Sequence, residues 1–299
     1  MAEGTYTVLE DRGLIGISGE EARDFLQGLI SNDTMKTGPD QAIYAAFLTP
    51  QGKFLHDFFI IELDGSLLLD CEGDRLADLL KRLRMYKLRA QVDVEDRSPD
   101  FSVAALFGKD ALSAAGLPEK PGSAAAFNGG VVFADPRLAA AGARAILPKD
   151  SAEAALTATS LSPGDKDAYE AVRISLGLPD GSRDMQTDKA ILLENGFEEL
   201  NGVDWDKGCY MGQELTARTK YRGLVKKRLM PVSVDGPLPQ PGTPILLDGR
   251  EAGEMRSGND GLGLALMRLE ALEKAAESGG AFTAGEATLT PSKPDWVDF

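Results

Sequence analysis

The sequence is poor in the side chains that bind metals through nitrogen or sulfur. Its 299 residues contain two cysteines, Cys71 and Cys209, and one histidine, His56. A structural zinc site needs four nitrogen or sulfur ligands, so one chain cannot supply them. A cluster held by four cysteines of a single chain is excluded for the same reason. No ligand spacing indicates a carboxylate site, and we predict no metal site.

Long apolar runs and targeting signals are also missing. No apolar run reaches the roughly 18 residues that a membrane-spanning helix needs. The start, MAEGTYTVLEDRG, lacks the basic and then apolar order of a secretion signal. Two cysteines are too few for a disulfide framework, which favours a reducing compartment. These absences predict a cytoplasmic protein without membrane contact.

Positive charge is scarce, because 32 Lys and Arg face 47 Asp and Glu and the net charge is −15. An acidic chain repels nucleic acid, so general nucleic-acid binding is not expected. One segment departs from this average. Between positions 207 and 228 one acidic residue, Glu214, accompanies seven basic ones: Lys207, Arg218, Lys220, Arg222, Lys226, Lys227 and Arg228. The segment predicts a site for an anionic ligand or partner, although a solvated loop or an edge strand protected by lysines explains it equally well.

The order of predicted elements indicates an α+β fold. An apolar stripe over residues 18–31, with Ser18 and Glu21 placed as a capping box, predicts a helix. Residues 43–63 predict two strands joined at a turn around Gly52. A strand, a helix with leucines at 76, 79, 80 and 83, and another strand follow, and residues 102–147 repeat the order weakly. Split α+β units fit this order better than a uniform parallel sheet.

From residue 229 short apolar runs are punctuated by Gly, Pro and a turn signal at Asp248 and Gly249, a pattern typical of a small β-barrel. We therefore predict two domains. Residues 1–228 are expected to form an α+β region, and residues 229–299 a C-terminal β-barrel.

The motif KGCYMGQE, residues 207–214, is the strongest indication of chemistry. Gly208 and Gly212 allow sharp turns around Cys209, which predicts an exposed thiol. Lys207 and the arginines that follow favour the reactive thiolate. The remaining polar members of the motif, Tyr210, Gln213 and Glu214, offer a ring, an amide and a carboxylate to a ligand, or organise the loop internally. Cys71, in LLLDCEGD, is interpreted as a packed strand residue.

KGCYMGQE resembles the signature of the YgfZ family, folate-binding relatives of the glycine-cleavage T-protein that support iron-sulfur enzymes. The blocks FLQGLISND, YAAFLTPQGKFLHDFFI, DLLKRLRMYKLRAQV and VRISLGLPDG, together with the longer motif segment, are similar to family blocks in family order. The resemblance covers much of residues 14–229. It implies that residues 1–228 form a T-protein-like folate-binding region of split ferredoxin-like units in two intertwined subdomains. It also implies a C-terminal β-barrel over residues 229–299 and a channel for tetrahydrofolate.

The resemblance also implies site residues. Asp57 falls where T-protein relatives place an aspartate near the folate N5, so it joins Cys209 as a candidate catalytic residue; a structural hydrogen-bond acceptor is the equal alternative. The T-protein motif RxExG is present here as Arg173, Ser175 and Gly177 without its glutamate, which argues against T-protein catalysis. Glu194 is the candidate replacement acceptor. Lys207, Tyr210, Gln213, Glu214 and Arg222 complete the candidate folate-binding set, with Arg222 in the basic run expected to bind a polyglutamate tail.

Two functions follow from this resemblance. The first is a folate-binding accessory protein for assembly or repair of [4Fe–4S] enzymes, including those that modify tRNA, which uses Cys209. Its partners are iron-sulfur client enzymes or assembly proteins. The second is a tetrahydrofolate-dependent aminomethyltransferase or demethylase-like enzyme that uses Asp57. An interaction module that binds RNA or an enzyme through the basic run is a third alternative.

Overall fold

The computed structural model describes residues 4–297. They form two compact units, each built from separate stretches of chain. The first unit comprises residues 4–49, Leu55–Tyr169 and Leu200–Met211, and the second comprises Pro50–Phe54, Glu170–Glu199 and residues 212–297. The domain boundary predicted between residues 228 and 229 stays a prediction.

Strands and helices mix along the described chain. The strands are β1 (Thr5–Val8), β2 (Arg12–Ser18), β3 (Ile43–Leu48), β4 (Phe54–Leu63), β5 (Ser66–Glu72), β6 (Asp93–Asp96), β7 (Phe101–Phe107), β8 (Ala124–Phe127), β9 (Gly130–Ala134), β10 (Ala143–Pro148), β11 (Ser162–Pro163), β12 (Lys227–Asp235), β13 (Pro244–Leu247), β14 (Arg250–Asn259), β15 (Leu262–Arg268), β16 (Phe282–Ala284) and β17 (Ala287–Pro291). The α-helices are α1 (Ala22–Gln27), α2 (Leu76–Lys87), α3 (Ala111–Ala114), α4 (Ala152–Thr157), α5 (Lys166–Ser175), α6 (Gly181–Asp184), α7 (Gln213–Tyr221) and α8 (Leu269–Ser278). Short 3₁₀ helices occupy Thr34–Lys36, Gly73–Arg75, Ala139–Ala141 and Leu192–Asn195. The mixture confirms the predicted α+β class.

A five-stranded sheet in the first unit is buried on both faces, which explains the apolar runs of its strands. Its strand order is β3-β4-β5-β2-β6, so the two strands predicted over residues 43–63 are neighbours. Successive side chains of a strand point to opposite faces. On one face, Phe58 and Ile60 of β4 pack with Leu26 of α1 and Leu79 of α2. Both helices therefore lie on the same side of this sheet.

Helix α1 is shorter than the helix predicted over residues 18–31. Ser18 pairs with Asp93 at the end of β2, and Gly19 follows with a φ of +110°, so the chain turns before the helix begins. The cap residue is Glu21, which makes no side-chain capping bond. The predicted capping box was wrong, because Ser18 belongs to the preceding strand.

The second sheet of the first unit has the strand order β11-β1-β7-β10-β9-β8. Helices α3 and α4 pack on it through Leu112 and Leu156. Charged side chains connect it to the five-stranded sheet: Asp70 of β5, fully buried, accepts hydrogen bonds from Arg12 at 2.6 Å and from Arg144 of β10 at 2.9 Å. Buried charges need such partners, so this pairing fixes how the two sheets pack.

A closed barrel dominates the second unit, as predicted from residue 229. Its strands follow the order β12-β15-β14-β13-β16-β17, and Val232, Met255, Met267 and Leu289 belong to its core. The glycine- and proline-rich segments between the short apolar runs lie at its turns, and α8 packs on it through Ala271.

Arg173 connects α5, α6 and β14 inside the second unit. Its guanidinium is fully buried and donates to Glu170 at 2.9 Å, Asp184 at 2.8 Å and the hydroxyl of Ser257 at 2.8 Å. It also donates to the carbonyl of Leu178 at 2.6 Å. A buried cation with this many acceptors is a structural cross-link.

Candidate functional site

Lys207 fixes one end of the loop that carries Cys209. Its Nζ donates to the carbonyl oxygens of Gln27 at 2.7 Å and Ile30 at 2.6 Å. Gln27 is the last residue of α1, where a helix leaves its carbonyls without helical partners, and Ile30 lies three residues beyond it. A cation at this end also interacts favourably with the negative end of the helix dipole. The motif lysine therefore ties the loop to α1.

The other end of the loop is fixed at the same place. The backbone N–H of Met211 donates to the carbonyl of Gly28 at 3.0 Å, and the Met211 side chain packs against the core beneath α1. Tyr210 is buried, and the Nζ of Lys207 lies 5.1 Å from the centre of its ring. The segment between the two attachments is short and well supported.

Gly208 and Cys209 form the exposed tip of this loop. Gly208 has a φ of +86°, a backbone conformation that favours glycine. A Cβ at Gly208 would meet no neighbour within 4 Å, so the backbone angle and not crowding explains the glycine. The tip presents the Cys209 side chain to solvent as a free thiol.

Cys71, unlike Cys209, is a buried cysteine. It is 1% exposed on β5, and its thiol donates to the carbonyl of Gly13 at 3.5 Å. Burial raises the pKa of the Cys71 thiol to about 12. Its structural interpretation agrees with this environment.

The ammonium of Lys207 is itself partly withdrawn from water. Burial lowers the pKa of Lys207 to about 8, against the opposing effects of Asp33 and Asp204. Its hydrogen bonds go to the carbonyls of Gln27 and Ile30. That Lys207 stabilises a thiolate at Cys209 stays a prediction.

Gln213, Glu214 and Arg222 belong to the second unit, whereas Lys207, Cys209 and Tyr210 belong to the first. Gln213 is the first residue of α7, Glu214 is exposed on its first turn, and Arg222 is its exposed C-cap. Two cations of the basic run are paired with acids within the second unit. Lys220 lies 2.5 Å from Glu198, and Arg228 lies 2.8 Å from Glu199.

Glu194 lines a cavity of about 150 Å³ in the second unit. The charged and amide side chains of the lining are Asp184, Gln186, Lys189, Glu194, Asn195, Lys227, Glu254 and Arg256. Burial raises the pKa of Glu194, although Lys227, Lys53 and Arg228 oppose the shift. Arg256 has a 9% exposed side chain that pairs with Glu254, and its Nε is a buried donor without an acceptor in the described chain. The cavity thus combines a carboxyl acceptor with an unsatisfied donor.

The sequence singled out Glu194, and Lys227 as a member of the basic run, but missed Arg256 and Asn195. Arg256 lies on β14, Lys227 on β12 and Asn195 in a 3₁₀ helix, and β12 and β14 are both neighbours of β15 in the barrel. No short motif contains them.

Asp57 lies in the first unit, on the face of β4 opposite the helices. It is 6% exposed, and its Oδ2 accepts a hydrogen bond from the hydroxyl of Tyr44 at 2.7 Å. Burial raises the pKa of Tyr44, as does the charge of Asp57, while Arg137 lowers it. His56, the preceding residue, instead bonds Asp78 at 3.0 Å, and burial lowers its pKa to about 4. A catalytic role for Asp57 stays a prediction.

The position of the missing RxExG glutamate is solvent-facing. Ser175 is exposed, and its hydroxyl donates to the carbonyl of Val172 at 2.8 Å. Its only side-chain donor therefore bonds a carbonyl of α5, the helix that contains Ser175. Arg173 of the same motif serves the buried cross-link described above.

Residues 226–299 match the family described as CAF17, C-terminal beta-barrel domain. Over 96% of its length the chain is 35% identical to the iron-sulfur cluster assembly factor IBA57, mitochondrial, of Mus musculus, and covers 84% of that protein. The Homo sapiens protein of the same name gives the same identity and coverages. The chain belongs to the IBA57 family. A homologue from Mycosarcoma maydis, 32% identical, covers 90% of this chain and 75% of its own length.

A solved structure shows the same fold as this IBA57-family chain. The glycine cleavage system aminomethyltransferase T from Bartonella henselae superposes with a TM-score of 0.77 and 16% identity, over 99% of this chain and 87% of that one. This confirms the predicted T-protein-like α+β fold with a C-terminal barrel. The resemblance to YgfZ is confirmed in a coarser form, since the homologues are IBA57 proteins and YgfZ is their bacterial relative.

The predicted cytoplasmic location was wrong. The IBA57 proteins of mouse, human and Mycosarcoma maydis are all named as mitochondrial. A low cysteine count indicates a reducing environment and cannot distinguish between reducing compartments. No helix formed by residues 4–297 has the length and apolar character to span a membrane.

Proposed function

We propose that this chain is an accessory factor in the assembly or repair of iron-sulfur proteins, and that Cys209 is the residue that contacts the cluster, a persulfide or the client. The IBA57 relatives are named as iron-sulfur cluster assembly factors. The observation that carries the proposal is the exposed Cys209 thiol on a loop attached at both ends to α1. Clients include [4Fe–4S] enzymes and, among them, enzymes that modify tRNA.

The thiol count limits how a cluster is held. Cys71 is buried, so Cys209 is the single cysteine that a cluster can reach in this chain. Four thiolates hold an ordinary cluster. A cluster on Cys209 is therefore shared with a partner protein, a second copy or a small thiol.

The test is replacement of Cys209 in cells that lack the chromosomal gene. Cys209→Ala is expected to leave iron-sulfur enzyme activities at the level of the deletion strain, because no other exposed thiol replaces it. Asp206→Ala, an exposed change on the same segment, serves as the matched control and is expected to restore them. Full activities with Cys209→Ala, in a strain where deletion abolishes them, would move the function away from the thiol.

Tetrahydrofolate is the proposed ligand of the Glu194 cavity. Its pterin ring combines an N–H edge with carbonyl and ring-nitrogen acceptors. Glu194 offers the acceptor for that edge, and the unsatisfied Nε of Arg256 and the ammonium of Lys227 offer donors. The hydrogen-bonding groups of the cavity therefore match those of the pterin ring. When bound, tetrahydrofolate supplies a nitrogen that carries one-carbon groups. Glu194 and Arg256 would orient the ring.

The other candidate folate residues have unequal support. Lys207 already donates to two carbonyls and the Tyr210 ring is buried, so both serve the loop. Arg222 is exposed and suits a polyglutamate tail. Gln213 and Glu214 stay proposals as ligand contacts.

Calorimetric titration with tetrahydrofolate tests this second proposal. Glu194→Gln is expected to weaken binding roughly tenfold, equivalent to about 1.4 kcal/mol. Glu251→Gln, at the barrel edge, is the matched control and is expected to bind normally. If the tail binds the basic run, extending the tail raises affinity at low salt and this gain disappears at high salt. Absence of saturable binding would reject tetrahydrofolate as the ligand of the cavity. The proposed role of Cys209 would still stand.

A further inference from the structure

The outward face of α2 carries large apolar side chains where a surface helix normally presents polar ones. Met85 is 60% exposed and Leu88, at the C-cap, is 87% exposed. Positions 81, 84, 85 and 88 fall on one face, because residues three and four apart are neighbours on a helix. We define the α2 surface by its five exposed residues: Lys81, Arg84, Met85, Leu88 and Arg89.

We infer that the α2 surface docks an acidic face of a partner protein, with Leu88 entering an apolar pocket in that face. The inference rests on the proposed function, because this partner is the protein that Cys209 serves. Burial of Leu and Met within a charged rim is the usual anatomy of a protein interface.

The backbone of Leu88 supports a role beyond ending the helix. Its φ is +45° and its ψ is −104°, a conformation that favours glycine and strains a leucine. A strained residue persists where something other than local stability requires it. Leu88 is almost fully exposed, so packing inside the chain does not require it.

Charge on the α2 surface selects the partner. The surface carries three cations and no acid, in a chain whose net charge is −15, and the two other cations of residues 81–89, Arg82 and Lys87, pair with Asp78 and Asp93. Lys81 and Arg89 have no acidic partner in residues 4–297, while Arg84 is held in place by two hydrogen bonds to the carbonyl of Val94. Free and fixed cations together favour an acidic protein face.

A nucleic acid or an anionic membrane is a poorer match. Asp93, Glu95 and Asp96 are exposed on the neighbouring strand β6, and an extended polyanion on α2 would meet them as well as the overall negative charge. A folded partner contacts a bounded patch and avoids these acids.

The α2 surface and the Cys209 loop belong to the same layer of the first unit. Helices α1 and α2 pack on one face of the five-stranded sheet, and the loop is attached to the C-terminal end of α1. A partner that approaches this helical layer meets both elements.

Photo-crosslinking in cells tests the inference. Benzoylphenylalanine is placed at position 88 of the full chain, and at position 246 in the barrel as a matched control with an exposed leucine. We expect a discrete protein adduct from position 88 alone, joined to a peptide rich in Asp and Glu. The double variant Lys81→Glu with Arg89→Glu is expected to reduce it at least tenfold. No adduct, equal adducts at both positions, or an adduct to RNA or lipid would overturn the inference.

Leu88→Gly separates docking from folding. Glycine relieves the strain at φ +45°, so the variant is expected to be at least as stable as the wild type while iron-sulfur enzyme activities in cells fall. Unchanged activities with Leu88→Gly, when Cys209→Ala abolishes them, would reject the α2 surface and leave the proposed function standing. A specific adduct at position 88, together with full activity of Cys209→Ala, would reject the proposed role of Cys209 and leave the α2 surface standing.

Discussion

At the scale of single residues, Lys207 acts through its hydrogen bonds. Its ammonium satisfies two carbonyls at the end of α1, so Lys207→Met leaves them without these donors. We expect the free energy of unfolding to fall by about 1–3 kcal/mol, and the Met211 amide to exchange faster with solvent. Urea denaturation and hydrogen exchange measure the two effects. Lys226→Met, at an exposed lysine of the basic run, is the control; equal small losses in both variants would show that Lys207 does not hold the loop.

Glu194 is the residue whose ionisation works against folding. Burial raises its pKa in the folded chain, so the stability it contributes is present below its unfolded pKa near 4.5 and is lost as the pH rises through the folded value. Glu194→Gln is therefore expected to stabilise the protein at pH 7, by no more than about 1 kcal/mol because the carboxyl is partly exposed. The gain should shrink below pH 4.5 in thermal melts. A gain that persists undiminished in acid would contradict the assignment.

At the scale of elements, Arg173 is expected to dominate the stability of the segment that joins α5, α6 and β14. Arg173→Met leaves Asp184 buried without its cation and Glu170 with only Arg183, which costs about 3–5 kcal/mol. Arg183→Met removes a 39% exposed arginine that pairs with Glu170 and Asp180, and is expected to cost less than about 1 kcal/mol. Denaturant midpoints of the two variants give the comparison. Similar losses would mean that the buried guanidinium is not the cross-link.

Helices and strands were predictable from the sequence where a single hydrophobic period marked them. The leucines of α2 and the paired apolar runs of β3 and β4 gave correct elements, because burial on one or two faces leaves its period in the sequence. The start of α1 was missed because Ser18, a good capping residue, is the last residue of a strand. A capping signal is read from a few neighbouring residues. Here the pairing of Ser18 with Asp93 of β6 kept Ser18 in the strand.

The candidate site was predictable only in part. The exposed Cys209 follows from its flanking glycines, but the attachment to α1 depends on a lysine and two carbonyls that lie about 180 residues apart in the sequence. The Glu194 cavity is lined by Lys227 of β12 and Arg256 of β14, two strands that come together only by pairing with β15. Contacts of this kind leave no period or motif, so single-sequence analysis cannot recover them.

At the scale of the whole molecule, the chain has the fold of a T-protein but lacks the RxExG glutamate and carries an exposed cysteine. The T-protein-like architecture is confirmed at 16% identity, which shows the fold alone. Ser175 replaces the RxExG glutamate, while Cys209 provides an exposed thiol. The IBA57 family match and this thiol point away from aminomethyl transfer and towards iron-sulfur assembly as the function to test first.

The rate at which iodoacetamide modifies each cysteine of the native protein tests the central claim most directly. Cys209 is exposed, whereas Cys71 is buried and burial raises the pKa of its thiol to about 12, so at pH 8 Cys71 stays in the unreactive thiol form. Mass spectrometry is expected to find complete modification of Cys209 while Cys71 stays unmodified until denaturant is added. Equal resistance of both thiols in the folded protein would contradict the account, because the motif cysteine would then be a packed residue.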